Sequence, residues 1–274
     1  MSDMDHAAQT AVEVPVPARE VSRSCVLDDY DVDGFLQLAA GFDKDKFGYV
    51  VTPNVDHLIR FHDEPAFRAL YADASYVLLD SRFLSHVFRV WKGLRIRVCT
   101  GSDLTEQLFA RVIAPDDKIV LIGCASEQAS AMSQRYGLKD LRHYNPPMGF
   151  IHQPELVEEC LQFIEAQGAF RFCFLAVGAP QQEVLAHELK TRGIARGLAL
   201  CIGASVNFLT GVERRAPRWI QLAGMEWSYR LLQDPGRLAK RYLVRGLRVF
   251  SLLPLIEFLV RPRVPLPRGG VDRS

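Results

Sequence analysis

The residues able to do acid-base or phosphate chemistry stand just behind short apolar runs. Asp80 closes the run Tyr76-Val77-Leu78-Leu79, and a carboxylate at a buried strand end can act as a general base whose basicity burial tunes. The same position suits the N-cap of a helix from Ser81 onward, since Asp is a preferred cap residue. Both roles stay open. Thr52 and Asn54 close the run Tyr49 to Thr52 and can hydrogen-bond a sugar or ribose, while Pro53 and Asn54 also fit a simple helix start. Gly178-Ala179-Pro180-Gln181-Gln182-Glu183 joins a turn that lets the backbone approach a ligand to a helix start whose N–H groups suit phosphate. Read as a tight strand-to-helix turn, it accounts for the Gly and the Pro but not for the paired amides.

Other chemistries find less support. The chain has neither GxGxxG nor a GxxxxGKS or GxxxxGKT segment, which argues against dinucleotide and P-loop sites. Asp31-Val32-Asp33 has DxD spacing but precedes a helix, Gly34 to Ala40, so capping is expected and no metal is assigned. His57, His62, His86, His143, His152 and His187 form no HExxH and no carboxylate-flanked pair, so surface or core positions are expected of them. The six cysteines are scattered without CxxC, as suits a reducing compartment. A net charge of +1 excludes a broadly basic, nucleic-acid-binding surface. No export signal and no apolar run long enough to span a bilayer is evident, the nearest, Val249 to Val260, being broken by Pro254 and Glu257.

The elements that must position these residues follow from the hydrophobic pattern. Strands are expected at Tyr49 to Thr52, Tyr76 to Leu79, Lys118 to Ile122, Phe172 to Val177 and Leu198 to Ile202. Helices are expected at Asn54 to Tyr71, Ser102 to Ile113, Ser126 to Tyr136, Pro154 to Gln167 and Gln181 to Arg192. This alternation implies an α/β fold with a mostly parallel, Rossmann-like sheet flanked by helices, in which ligands bind beyond the carboxyl ends of the strands. Residues 1–24 read as a mobile leader, 25–211 as the α/β nucleotide-sugar-binding domain, and 212–274 as a basic helical appendage, helical from Pro217 nearly to Arg261 with a break near Asp234-Pro235-Gly236.

The segment Arg214 to Tyr242, RRAPRWIQLAGMEWSYRLLQDPGRLAKRY, together with GAPQQE, TPN and RVCTGSDL, resembles the WecG/TagA/CpsF glycosyltransferases, glycosyltransferase family 26. The resemblance implies an inverting, metal-independent enzyme without a cofactor, moving a sugar from a UDP-sugar to an undecaprenyl-diphosphate-linked acceptor for a cell-surface polysaccharide. N-acetylmannosamine, its uronic acid and glucose are the candidate sugars. By position it makes Asp80 the base, Thr52 and Asn54 substrate contacts, Gln182 and Glu183 a pair near the nucleotide, and Arg97 the arginine before the GSDL segment. Arg214, Arg218, Gln221, Glu226, Trp227 and Arg230 fall in the C-terminal signature, whose arginines would meet the diphosphates. Ser81, Cys201 and Asn207 depart from the family pattern, Asn207 replacing an Asp at a substrate-binding position. A nucleotide-sugar-modifying enzyme and a non-catalytic UDP-sugar-binding subunit are the alternatives.

Arg237, Lys240, Arg241, Arg245 and Arg248 recur three or four apart, opposite Leu238, Tyr242, Val249, Leu252, Leu253 and Ile256. Such a basic amphipathic helix either lies on an anionic membrane or packs on the domain with its basic face solvated. Since a polyprenyl acceptor stays in the bilayer, peripheral attachment to the inner face of the cytoplasmic membrane is expected.

Overall fold

Apolar runs rich in β-branched and aromatic residues alternate with helices from Ser24 onward in the computed structural model, which describes residues 24–263. The expected leader, apart from Ser24, and the residues after 263 lie outside the described part. β1 (Ser24–Asp28) leads into α1 (Val32–Ala40), and β2 (Phe47–Val51) into α2 (Val55–Asp63) and α3 (Pro65–Ala72). The two-residue β3 (Tyr76–Val77) precedes α4 (Arg82–Lys92) and α5 (Gly101–Arg111). β4 (Lys118–Ile122), α6 (Ser126–Tyr136), β5 (Asp140–Tyr144), α7 (Pro154–Glu165), β6 (Ala169–Leu175), α8 (Gln181–Arg192) and β7 (Arg196–Cys201) continue the alternation. After it come α9 (Ser205–Leu209), α10 (Arg218–Leu222), α11 (Glu226–Gln233), α12 (Pro235–Ala239), α13 (Val249–Leu252) and β8 (Glu257–Arg261).

Six strands form one parallel sheet in the order β3-β2-β7-β6-β4-β5. Parallel neighbours need crossover connections, and the helices supply them while covering both faces. Each central strand divides its side chains between two cores. Cys173 and Leu175 of β6 join one with Tyr49, Ala199 and Cys201, whereas Phe172 and Phe174 join the other with Val50, Leu198 and Leu200. The carboxyl ends of β3, β2, β7, β6 and β4 therefore lie in a row, bringing Asp80, Thr52, Gly203, Gly178 and Gly123 to one edge of the sheet.

Three local readings are corrected. The expected helix from Asn54 to Tyr71 is two helices, because Pro65 holds Glu64 in an extended conformation (φ −115°, ψ 100°). The C-terminal segment is not helical to Arg261: a π-helical turn (Lys240–Arg245) and a 3-10 turn (Gly246–Arg248) interrupt it, and its last element is β8, paired in parallel with β1. The apolar side of that segment faces the protein, with Val249, Leu252, Leu253 and Ile256 buried in the core that holds Tyr49 and Leu175.

Candidate active site

Asp80 follows β3 and its side chain reaches across to α5, where Oδ1 accepts the Gly101 N–H at 3.0 Å. The N-cap of α4 is instead Ser81, whose Oγ accepts the Leu84 N–H at 3.1 Å, so capping α4 is not Asp80's task. Burial pushes the Asp80 carboxyl up to about 7; the Gly101 N–H, Arg230 and His57 pull it down and Glu226 adds to the rise. A carboxyl poised near neutrality at a strand end is suited to proton transfer.

Thr52, buried at the end of β2, donates its hydroxyl to Cys201 O at 3.2 Å and ties β2 to the end of β7. Its Oγ1 also lies close to Gly101: a Cβ there would stand 3.2 Å from it, so glycine lets α5 begin against the Thr52 strand end. Asn54 is the N-cap of α2, with Oδ1 accepting the Asp56 N–H at 3.0 Å and the His57 N–H at 3.5 Å. The Asn54 N–H donates to His57 Nδ1 at 3.5 Å, which leaves His57 Nε2 to carry a proton 3.4 Å from Glu183 Oε1. Glu183 is fully buried and accepts Gln182 Nε2 at 2.8 Å, while Gln182 Oε1 accepts the Gly203 N–H at 2.8 Å. Gln182 and Glu183 thus brace the start of α8 against the ends of β2 and β7.

The turn before α8 has Gly178 at φ +79°, a conformation that disfavours other residues. Gln181 folds its amide back onto it, with NH2 directed to Gly178 O (3.1 Å) and Ala179 O (3.0 Å). The helix follows directly from Pro180. Asn207 lies in α9, the helix after β7, where its Nδ2 donates to Glu213 Oε1 at 3.1 Å and its Oδ1 accepts Gln128 Nε2 at 3.0 Å. Gln128, in the first turn of α6, also reaches Thr210 Oγ1 at 3.0 Å.

The segment after Gly211 folds back over the Asp80 end of this row. Gly224 makes the approach possible: a Cβ there would lie 3.1 Å from Phe83 N and 3.3 Å from His86 Nδ1, at the start of α4. Arg230 stacks on Phe208 at 4.8 Å and pairs with Glu226 at 3.5 Å, both close enough to Asp80 to act on its charge. Gln221 Oε1 accepts from Arg215 at 3.2 Å, and Gln221 Nε2 donates to Ala216 O. Trp227 stands half-exposed, edge-on to Tyr242 at 6.1 Å. Arg214 and Arg218 are exposed. Arg97 is drawn to the other side, bonding Asp29 at 3.2 Å and nearing Asp31 at 3.8 Å.

Sequence reasoning passed over the carboxylate at the centre of this arrangement. Asp103, in the first turn of α5, accepts Arg82 Nη2 at 2.8 Å and Arg215 Nη1 at 2.6 Å. Burial raises its carboxyl, but Arg215, Thr100 and Arg82 outweigh burial and hold it below the usual range. Of the doublet Arg214-Arg215, the second faces inward. The doublet itself does not tell which of the two turns inward. His57, expected at the surface or in the core, is a core residue whose ring reaches the site's buried carboxylate.

Asp31 caps α1, its Oδ1 accepting the Gly34 N–H at 2.8 Å, and Asp33 pairs with Arg111 at 2.5 Å. Among the described residues no group of three or more His, Cys, Asp and Glu could hold a metal ion. No described helix is long and apolar enough to cross a membrane. Lys240 and Arg245 are exposed beside exposed Leu243, Val244 and Leu247, whereas Arg248 is held bidentately by Asp63 at 2.9 and 3.2 Å. The side chains of Arg237 and Arg241 lie outside the described part. Compared with known protein families, residues 24–263 match the model described as "Glycosyl transferase WecG/TagA/CpsF family".

Proposed function

Because the chain belongs to the WecG/TagA/CpsF glycosyltransferase family, and is thus a glycosyltransferase of cell-surface polysaccharide biosynthesis, we propose that it moves one sugar from a UDP-sugar to a polyprenyl-diphosphate-linked acceptor with inversion. The observation that carries this reading is Asp80, a carboxyl at a strand end raised to about 7 by burial. In a single displacement the acceptor hydroxyl attacks the anomeric carbon from the face opposite UDP. Asp80 takes the hydroxyl proton as the new C–O bond forms, and the bond to UDP breaks with its electron pair on the diphosphate. That charge needs partners, and the start of α8 after Gly178 with Arg218 and Arg230 supplies them without a cation. Neighbouring strands are roughly 4.8 Å apart, so β3 and β6, three spacings apart in the sheet, are separated by about 14 Å. A donor lying along the row would put its sugar at Asp80 and its diphosphate toward α8.

The test is transfer from a panel of UDP-sugars, among them those of N-acetylmannosamine, its uronic acid and glucose, to a short polyprenyl-diphosphate acceptor in excess chelator. Product with one donor is expected, with the rate unchanged by added magnesium or manganese. A rate that appears only on metal addition would overturn the assignment of the diphosphate to arginines and helix starts.

A base must be deprotonated to act, so a carboxyl raised to about 7 gives turnover that climbs as pH rises through about 7. Below that the rate falls about tenfold per pH unit. A kcat profile flat from pH 5 to 8 would assign Asp80 no proton.

We also place the enzyme at the inner face of the cytoplasmic membrane, where its acceptor resides. Lys240 and Arg245 each contribute about 1 kcal/mol near an anionic surface, and the exposed Leu243, Val244 and Leu247 add apolar contact. Support comes from exposed side chains and not from Val249, Leu252, Leu253 and Ile256, which the core already uses.

A further inference from the structure

The strand that leads into Asp80 is short and stands at the edge of its sheet. β3 has two residues, and its inner side is secured by backbone bonds to the β2 strand and the turn after it: Leu78 N–H to Val51 O and Asp80 N–H to Pro53 O, both at 2.9 Å. Its outer side has no further strand of the six-stranded sheet. There the Val77 N–H is taken by a side chain, Asp28 Oδ2, at 2.7 Å, and Asp28 also bridges to Leu78 through its backbone. Asp28 is buried, and the same oxygen accepts Arg261 Nη2 at 2.8 Å. Arg261 ends β8, whose register sets it directly opposite Asp28.

The pair is asymmetric. The Arg261 side chain is 49% exposed and that of Asp28 8%. For the arginine this is close to a surface contact of little worth, but for the carboxylate it is the only cation bonded to it among the described residues. A buried carboxylate deprived of its cation turns toward water, and in turning it would release Val77. We propose that Arg261 is a positioning residue for the transfer reaction: by holding the Asp28 carboxylate on the outer edge of β3, it fixes the strand end from which Asp80 works. The inference rests on the reading of Asp80 as the base.

Four variants separate positioning from general support of the fold. Arg261→Met removes the cation and keeps much of the side chain's bulk. It is expected to lower kcat by about tenfold to a hundredfold, as misplacement of a reacting group does, with donor KM little changed. Amide exchange at Val77 and Leu78 should quicken by about tenfold or more. Arg261→Lys should restore most of kcat, because the contact uses a single nitrogen and an ammonium can replace it. Asp28→Asn keeps an acceptor for the Val77 N–H without a charge that needs neutralising. The double variant, Asp28→Asn with Arg261→Met, should therefore recover activity that Arg261→Met alone has lost. Arg261→Met with wild-type kcat and unchanged exchange would overturn the proposal. So would a loss that neither Arg261→Lys nor Asp28→Asn reverses, which is what a merely structural role predicts. Exchange is read without substrate, so it decides the clasp even where the transfer assay goes against the reading of Asp80.

Discussion

Asp80→Asn is expected to lower turnover by about 100-fold to 10,000-fold, the range lost when a general base is removed, while UDP binds as before. The substitution is nearly isosteric and keeps an oxygen able to accept the Gly101 N–H, so the contact that joins the β3 strand end to α5 survives. What disappears is the capacity to take a proton. Because the wild-type carboxyl is raised by burial, an uncharged amide costs no more to bury than the carboxylate it replaces, and the thermal midpoint should hold or rise. The check pairs single-turnover rates with UDP titration on the same preparation. Near-wild-type turnover would leave Asp80 as a tie to α5 and nothing more.

Truncation after Asp234 has the second largest expected effect, a chain that does not fold. Val249, Leu252, Leu253 and Ile256 are buried in the main core. At about 1.5–3 kcal/mol for each fully buried aliphatic side chain, they account for roughly 6–12 kcal/mol, comparable to a whole domain's stability of about 5–15 kcal/mol. The truncation also removes β8, the partner of β1. Loss of the cooperative thermal transition is the result to look for, and a truncated chain melting like the full one would contradict the burial just described. Membrane attachment must consequently be probed without cutting. Exchanging Leu243, Val244 and Leu247 for serine and Lys240 and Arg245 for glutamine touches exposed positions, where substitutions cost about 0.5 kcal/mol or less. The folded variant should no longer float with anionic vesicles. Flotation equal to the wild type would remove these residues from the membrane reading.

The strands legible in the sequence are those buried on both faces. Lys118–Ile122 appears with its observed bounds because an apolar run between polar turns admits few alternatives. β5 reads Asp-Leu-Arg-His-Tyr, an edge strand without a fully buried residue, and carries no apolar run to detect. β1 and β8 depend on each other across the whole chain, a relation that no local window contains. The basic C-terminal segment has true amphipathic spacing, but spacing says only that one side is covered and not by what; here the covering surface is the protein's own core. The same limit applies to the site. The strand-end positions of Asp80 and Thr52 follow from the alternation, whereas the pairing of Asp103 with Arg82 and Arg215 joins segments 21 and 112 residues apart. Glu183 could be singled out as a carboxylate near a ligand-binding turn, but its inward direction depends on where α2 brings His57.

The parallel pairing of β1 with β8 also bears on the order in which the chain can assemble. Asp28 and Arg261 are 233 residues apart, so the entropy of closing that loop must be met before their contact returns anything. Apart from β2 with β7, the pairings of the six-stranded sheet join segments much nearer in sequence and can form while β1 still lacks its partner. In that interval the outer edge of β3 offers unpaired N–H and C=O groups, the kind of surface on which other chains add. The residues that complete the edge are the last of the described chain to be synthesised, so the incompletely folded chain is open to association on the side where the finished one carries Asp80.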